Sequence, residues 1–234
     1  MTRRDNIKRK IFFIIFWVGL ISSFIFFAAL IHLKANGFKM DYRTWKLVQT
    51  GMIILGGNQE KAEVKVDGQL YAYGLPVRIA NLAPASYDVT ISKDKYQTWQ
   101  KSIQVESGKA SINQSVTLFL ENPPEITPPE NLTPEVLVKE FQIQSALLKI
   151  NGSEIYYQDK LVSRFSQDIA AAIIYPDDNH LIFQQADEVR VIELDGSNNH
   201  LLFKLRSAQA GQFSVQDNNL FFMDEERVQG RNIR

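Results

Sequence analysis

The 234-residue chain contains no cysteine. That excludes disulfides, thiolate metal centres and a cysteine nucleophile. Histidine is scarce, with three in all: His32, His180 and His200. None stands four residues from another, so no helical histidine pair can hold a metal. The sequence also lacks Gly-x-Ser-x-Gly, a glycine-rich phosphate loop and His-Glu-x-x-His. Net charge is absent, because 26 basic residues balance 26 acidic ones. No overall field therefore draws the chain to nucleic acid, and basic and aromatic residues are not interleaved for it. These absences lead to the expectation of a non-enzyme with no cofactor, no metal and no nucleic-acid partner.

What is present first is a long apolar run. From Ile11 to Leu33 the chain reads IFFIIFWVGLISSFIFFAALIHL, without a formal charge. As a helix these residues rise roughly 35 Å, enough for a hydrocarbon core of about 30 Å. The run exceeds the apolar core of a signal peptide, and FAALIHLKANG offers a poor small-x-small cleavage site. A retained transmembrane helix over 11–33 is expected. Residues 1–10 carry Arg3, Arg4, Lys8, Arg9 and Lys10 against Asp5. The far flank spreads Lys34, Lys39, Arg43 and Lys46 against Asp41 over a longer stretch. This bias places the basic tail 1–10 in the cytoplasm and the bulk of the chain outside a cell membrane.

Beyond the helix the apolar period is two, the period of half-buried strands. In AEVKVDG, Ala62, Val64 and Val66 share one face and Glu63, Lys65 and Asp67 the other. YDVTIS and WQKSIQV alternate in the same way, with Trp99, Ile103 and Val105 together on one face. Lys101 falls on that apolar face and is expected to snorkel to the rim. Asp67-Gly68 and Ser107-Gly108 mark turns. About seven short strands predict a small antiparallel β-sandwich over 37–120. Trp45 suits either the headgroup region or an extra strand.

Residues 50–120 resemble the PEGA domain family. The resemblance rests on QEKAEVKVDG (Glu60, Ala62, Val66, Asp67, Gly68), Leu75-Pro76, LAPASY (Leu82, Pro84, Tyr87) and KYQTW (Tyr96, Trp99). Three glycines of the family pattern are replaced, by Lys61, Ala85 and Lys95. If the family turn is kept at Lys61, its backbone should be altered or strained. The resemblance implies an accessory domain of a bacterial envelope protein.

Residues 121–136, ENPPEITPPENLTPEV, hold five of the eight prolines and four glutamates. Proline fixes φ and removes donors, so a spacer with neither helix nor central strand is expected. Beyond it NHLIF (179–183), NHLLF (199–203) and NNLFF (218–222) recur about 20 residues apart. Four strands are predicted at 169–175, 180–185, 188–194 and 200–205. The pattern YPDDNHLIF…VRVIELDGSNNHLL resembles the repeat of TolB-like propellers. Residues 137–234 hold too few blades to close, so a partial propeller-like antiparallel sheet is expected, with a final strand lacking partners. The fold class is thus mainly β with one N-terminal transmembrane helix.

Candidate chemistry is thin. His180 and His200 sit at equivalent repeat positions and are expected as surface turn residues. Asp195-Gly196-Ser197-Asn198-Asn199 lacks the spacing and closing glutamate of a calcium loop. Asp177-Asp178, Asp187-Glu188 and Asp224-Glu225-Glu226 read as turn acids. The candidate binding surface is Tyr71 and Tyr73, on one face of QLYAYGLP with Leu70 and Ala72 opposite. The expected function is a membrane-anchored binding or scaffold protein of the cell envelope. Its expected partners are the bilayer, an envelope protein or a cell-wall or surface glycan, and a second copy through open sheet edges. A non-catalytic sensor or assembly subunit of a membrane complex, or an accessory remnant of a propeller enzyme, is the alternative.

Overall fold

The computed structural model describes residues 3–41, 45–113, 115–206, 211–224 and 227–234. Arg43, Glu225 and Glu226, singled out above, lie outside the described residues. Helix α1 spans Arg3–Ala35 and is followed by the hairpin β1 (Phe38–Asp41) and β2 (Lys46–Gln49). Seven strands come next: β3 (Gly51–Leu55), β4 (Glu63–Val66), β5 (Gln69–Tyr73), β6 (Val77–Leu82), β7 (Ala85–Ser92), β8 (Trp99–Val105) and β9 (Ala110–Asn113). Then follow β10 (Glu125–Ile126), helix α2 (Pro134–Ser145), β11 (Leu148–Asn151), β12 (Glu154–Tyr157) and β13 (Lys160–Arg164). The chain continues with β14 (Ile169–Ile174), β15 (His180–Gln185), β16 (Glu188–Glu193), β17 (His200–Lys204), β18 (Phe213–Gln216), β19 (Asn219–Asp224) and β20 (Arg227–Asn232). The protein is mainly β, with one apolar helix near its N-terminus.

The chain forms two compact units. The first comprises Met1–Ile53, Arg78–Ser86 and Gln104–Ser111. Within α1, Phe12–Ala35 contains an 18-residue stretch with a mean hydropathy of 2.6 and no buried residue. An exposed apolar helix of this length fits a single membrane span or signal anchor. Trp45 ends up on the turn of the β1–β2 hairpin, 78% exposed. Strand β3 lies between β6 and β9 in a three-stranded sheet. Gly51 opens β3, where a Cβ would stand 2.4 Å from the Glu106 carbonyl oxygen, so only glycine fits.

The second unit comprises Ile54–Val77, Tyr87–Ile103 and Ile112–Arg234. One of its sheets has the order β5-β4-β7-β8. Val64, Val89 and Ile91 are fully buried there, as the period-two pattern requires. The turn joining β4 to β5 is Asp67 (φ 49) and Gly68 (φ 77), the two positive φ angles of a tight hairpin.

Three further antiparallel sheets follow. Strands β14 to β17 form a meander in chain order, within a residue or so of the four predicted strands. This sheet is buried on both faces. Ala171, Ile173, Ile182 and Val191 face Phe213, Val215, Leu220 and Phe222 of the β18–β20 sheet. Ala172, Leu181, Phe183 and Ile192 face Ile155 and Val162 of the β11–β13 sheet. Double-sided burial is why IAAAII and HLIF read as continuous apolar runs rather than alternating ones.

The segment expected as a spacer is largely tied down. Leu120 N–H donates to the Ile233 carbonyl at 3.0 Å, and Asn232 N–H to that of Pro124 at 3.0 Å. Glu125 and Ile126 pair with Arg231 and Gly230. Proline removes a donor but keeps its carbonyl, and an edge strand needs only one side paired. The last predicted strand, NNLFF, is β19 and is flanked by β18 and β20, contrary to the expectation that it lacks partners; β20 in turn lies between β19 and β10. Helix α2 was not expected either. Its start signal is present in sequence: Thr133 caps it, its side chain accepting from Val136 N–H, with Pro134 in the first turn and Glu135 next. Leu137 is fully buried, and Glu140 accepts from the Ser214 hydroxyl, fixing α2 against β18.

Candidate functional site

The most concentrated polar chemistry among the described residues lies where β8 meets the β14–β17 meander. It is built on strand register. In β16, Val189, Val191 and Glu193 share the inward row, so Glu193 carries a carboxylate into a buried position, 1% exposed. Register places His180 of β15 directly opposite it.

Glu193 is surrounded by donors. The Trp99 indole N–H donates to its Oε1, as does Asn198 Nδ2 at 3.0 Å. Lys101 Nζ stands 2.6 Å from its Oε2 and 2.5 Å from Asp195 Oδ2. The Ser197 hydroxyl lies 2.6 Å from Asp195 Oδ1 and 3.1 Å from Glu193 Oε2, and donates to one at a time. Gly196, at φ 85, lets this loop turn tightly; a Cβ there would stand 2.8 Å from the Val162 carbonyl oxygen. A buried carboxylate is costly unless its lone pairs are satisfied, and here they are.

Asp177 forms the second half. It accepts from the Thr117 hydroxyl at 2.8 Å and from the backbone N–H groups of Asn179 and His180 at 3.0 and 3.1 Å. Its Oδ2 lies 2.7 Å from His180 Nδ1, while His180 Nε2 lies 3.8 Å from Glu193 Oε1. The imidazole is 2% exposed and meets Phe119 edge-on at a centroid distance of 5.2 Å.

The charges follow the geometry. Burial pushes the Asp177 carboxyl up, but the His180 hydrogen bond and charge, the Asn179 N–H and the Thr117 hydroxyl outweigh it and hold it below the usual range. Asp195 behaves alike: burial raises it, and Lys101 and Ser197 more than reverse that. For Lys101, burial lowers the pKa, and Asp195 and Glu193 together raise it. His200, half-buried at the start of β17, is lowered, first by burial and then by the charge of Arg190.

The space left among Trp99, Thr117, Phe119, His180, Asn198 and His200 is about 10 Å³. That is the lower limit for one water, so no substrate-sized molecule enters. A wider open cleft of about 540 Å³ borders Ile112, Asn113, Ser115 and Asp177 to Asn179. The polar cluster is thus a closed junction that fastens β8 to the meander.

Two expectations change here. His180 is a buried network residue, not a surface turn residue, because the Asp177 turn and the β15–β16 register fold it inward. Lys101 does not snorkel to open solvent; Glu193 and Asp195 meet its ammonium first. Among the described residues no group of three His, Asp or Glu side chains is arranged to hold a metal. The sequence signal for the junction was a charged residue on each of two inward rows, Lys101 and Glu193.

The candidate binding residues lie elsewhere in the second unit. Tyr71 and Tyr73 are 48% and 67% exposed on β5, an edge strand. A bulge at Tyr71 shifts the register, so that Leu70 pairs with Lys65 and Tyr73 with Glu63. Leu70 therefore shares the outer face with Tyr73 instead of facing in with Ala72. Ile11 and Leu33 both lie within α1.

The replaced glycines are informative. Lys61 and Lys95 take φ of 61° and 66°, the left-handed region in which glycine is at ease, so both turns are kept. Ala85 lies in β7, without positive φ. None of the curated proteins compared matches the chain. Residues 50–122 do match the family model of the PEGA domain, so the chain carries a PEGA domain that begins with β3 and ends with the segment covering His180.

Proposed function

We propose that the protein is a single-pass, membrane-anchored binding or scaffold protein of the bacterial cell envelope. The basic tail lies in the cytoplasm and the PEGA domain and the sheets that follow lie outside. The observation that carries the binding role is β5: an edge strand with Leu70, Tyr71 and Tyr73 all about half exposed or more. Large aromatic side chains with a polar tip suit a protein partner or the face of a sugar ring. The apolar span and the flanking charge support the placement.

A non-enzymatic role is supported by the state of the acids and histidines. Asp177, His180 and Glu193 satisfy one another around a space too small for substrate. The sheet order 14-15-16-17 supports propeller-like repeats. Self-association through a sheet edge would use an edge strand such as β5 and not β20, which β10 and β19 flank.

The test uses the full chain in detergent, offered to envelope proteins and to wall and surface glycans. Replacing Tyr71 and Tyr73 by alanine should reduce capture tenfold or more with the melting transition unchanged. Equal capture by the double variant would remove β5 as the binding strand.

A further inference from the structure

His200 stands at the start of β17, opposite Val191 of β16, and is half-buried. It borders the same small space as Trp99, Asn198 and His180. The charged and titratable groups that face it come from three elements. Arg190 and Glu193 lie on β16, and Lys101, bound to Glu193, on β8. His180, with Asp177 behind it, lies on β15 and the preceding turn. Arg190 is held by Asn199, its Nε donating to Asn199 Oδ1 at 2.9 Å, and by an ion pair with Glu188 at 2.8 Å. A proton on His200 would thus sit half-buried near a fixed guanidinium and a second imidazole. Glu193, the carboxylate whose charge favours that proton, is already committed to Trp99, Lys101 and Asn198.

We propose that His200 makes the seat of β8 on the meander an acid-opened joint, in which a proton on its imidazole releases the contact between Trp99 and Glu193. The direction follows from linkage. His200 is held below the ordinary imidazole value by burial, Arg190 and His180. Its contribution to closure is present above about pH 6.5 and is lost as pH falls through its lower folded value. Opening lets the ring meet water and accept the proton. This joint is independent of what β5 binds. It would give an extracytoplasmic protein a response to acidification without any ligand.

The chain has three tryptophans, so Trp17→Phe and Trp45→Phe leave Trp99 as the sole indole reporter. Its emission is followed in the full chain in lipid nanodiscs from pH 7.5 to 5. A reversible shift to longer wavelength is expected, centred below about pH 6.5, and lost in His200→Gln. No shift in the parent, or the same shift in a folded His200→Gln, would overturn the proposal. Should His200→Gln not fold, proton NMR of the three histidines in the parent decides. A His200 ring titrating together with the Trp99 shift supports the joint, and one titrating apart from it sinks the joint.

Discussion

Lys101 Nζ stands 2.6 Å from Oε2 of Glu193, although the two residues are 92 positions apart in the chain. The ammonium is 23% exposed and the carboxylate 1%. The pair joins a strand of the PEGA domain to the meander that follows it. Each partner's burial depends on the other.

Removing one partner should therefore cost more than removing both. Glu193→Leu or Lys101→Met is expected to destabilise the second unit by about 3–5 kcal/mol. The double variant Lys101→Met, Glu193→Leu should recover most of that loss. Denaturant titration of the four proteins closes the cycle, and additive losses would show that the two groups do not act as a pair.

Trp99→Phe keeps the apolar bulk but removes the indole donor from Glu193. A loss of about 1–3 kcal/mol is expected, the usual cost of stranding a buried acceptor. A melt unchanged from the parent would mean that Asn198 and Lys101 suffice.

Acid stability should carry the mark of Asp177. Its folded pKa is depressed, so its contribution is present above the ordinary carboxylate value of about 3.9 and is lost as pH falls through the lower folded value. Asp177→Asn should flatten the stability profile on that acid limb. Lys101 acts at the other end. Its raised pKa gives a contribution present below about pH 10.4 and lost as pH rises through the folded value.

Lys61 and Lys95 occupy left-handed backbone in turns where glycine is the family residue. Left-handed conformation costs a side-chain-bearing residue about 1–2 kcal/mol, partly offset by the larger unfolded freedom of glycine. Lys61→Gly and Lys95→Gly should each stabilise by about 0.5–1 kcal/mol. Destabilisation would show that the lysine side chains hold these turns in another way.

The absence of cysteine makes the topology directly measurable. Single cysteines placed at Thr2 and at Asn131 can be probed with a membrane-impermeant maleimide on intact cells. Labelling at 131 alone is expected. Labelling at position 2 alone would reverse the orientation.

Local pattern and tertiary outcome diverge at identifiable residues. The strands of the meander were legible because long apolar runs between polar turns have few other solutions. The two-residue turn at Asp67-Gly68 was legible from backbone chemistry alone. Helix α2 was hidden behind the prolines of 121–136, although Thr133-Pro134-Glu135 is a start signal. The bulge at Tyr71, which turns Leu70 outward, has no mark in QLYAY, because a bulge is fixed by the partner strand. His180 read as a turn residue because its neighbours are polar. Its burial needs Tyr175 and the Asp177 carboxylate of its own turn to close with Phe119, brought from a distant part of the chain.

The sequence by itself determined the apolar span, the period-two strands and the turns, since each depends on residues adjacent along the chain. Only the tertiary structure decided which charges meet. Burying Lys101 and Glu193 is tolerable only if they face each other, and that pairing is set by how sheets stack. The same holds for β10, whose two residues become a strand only because β20 offers an edge beside them.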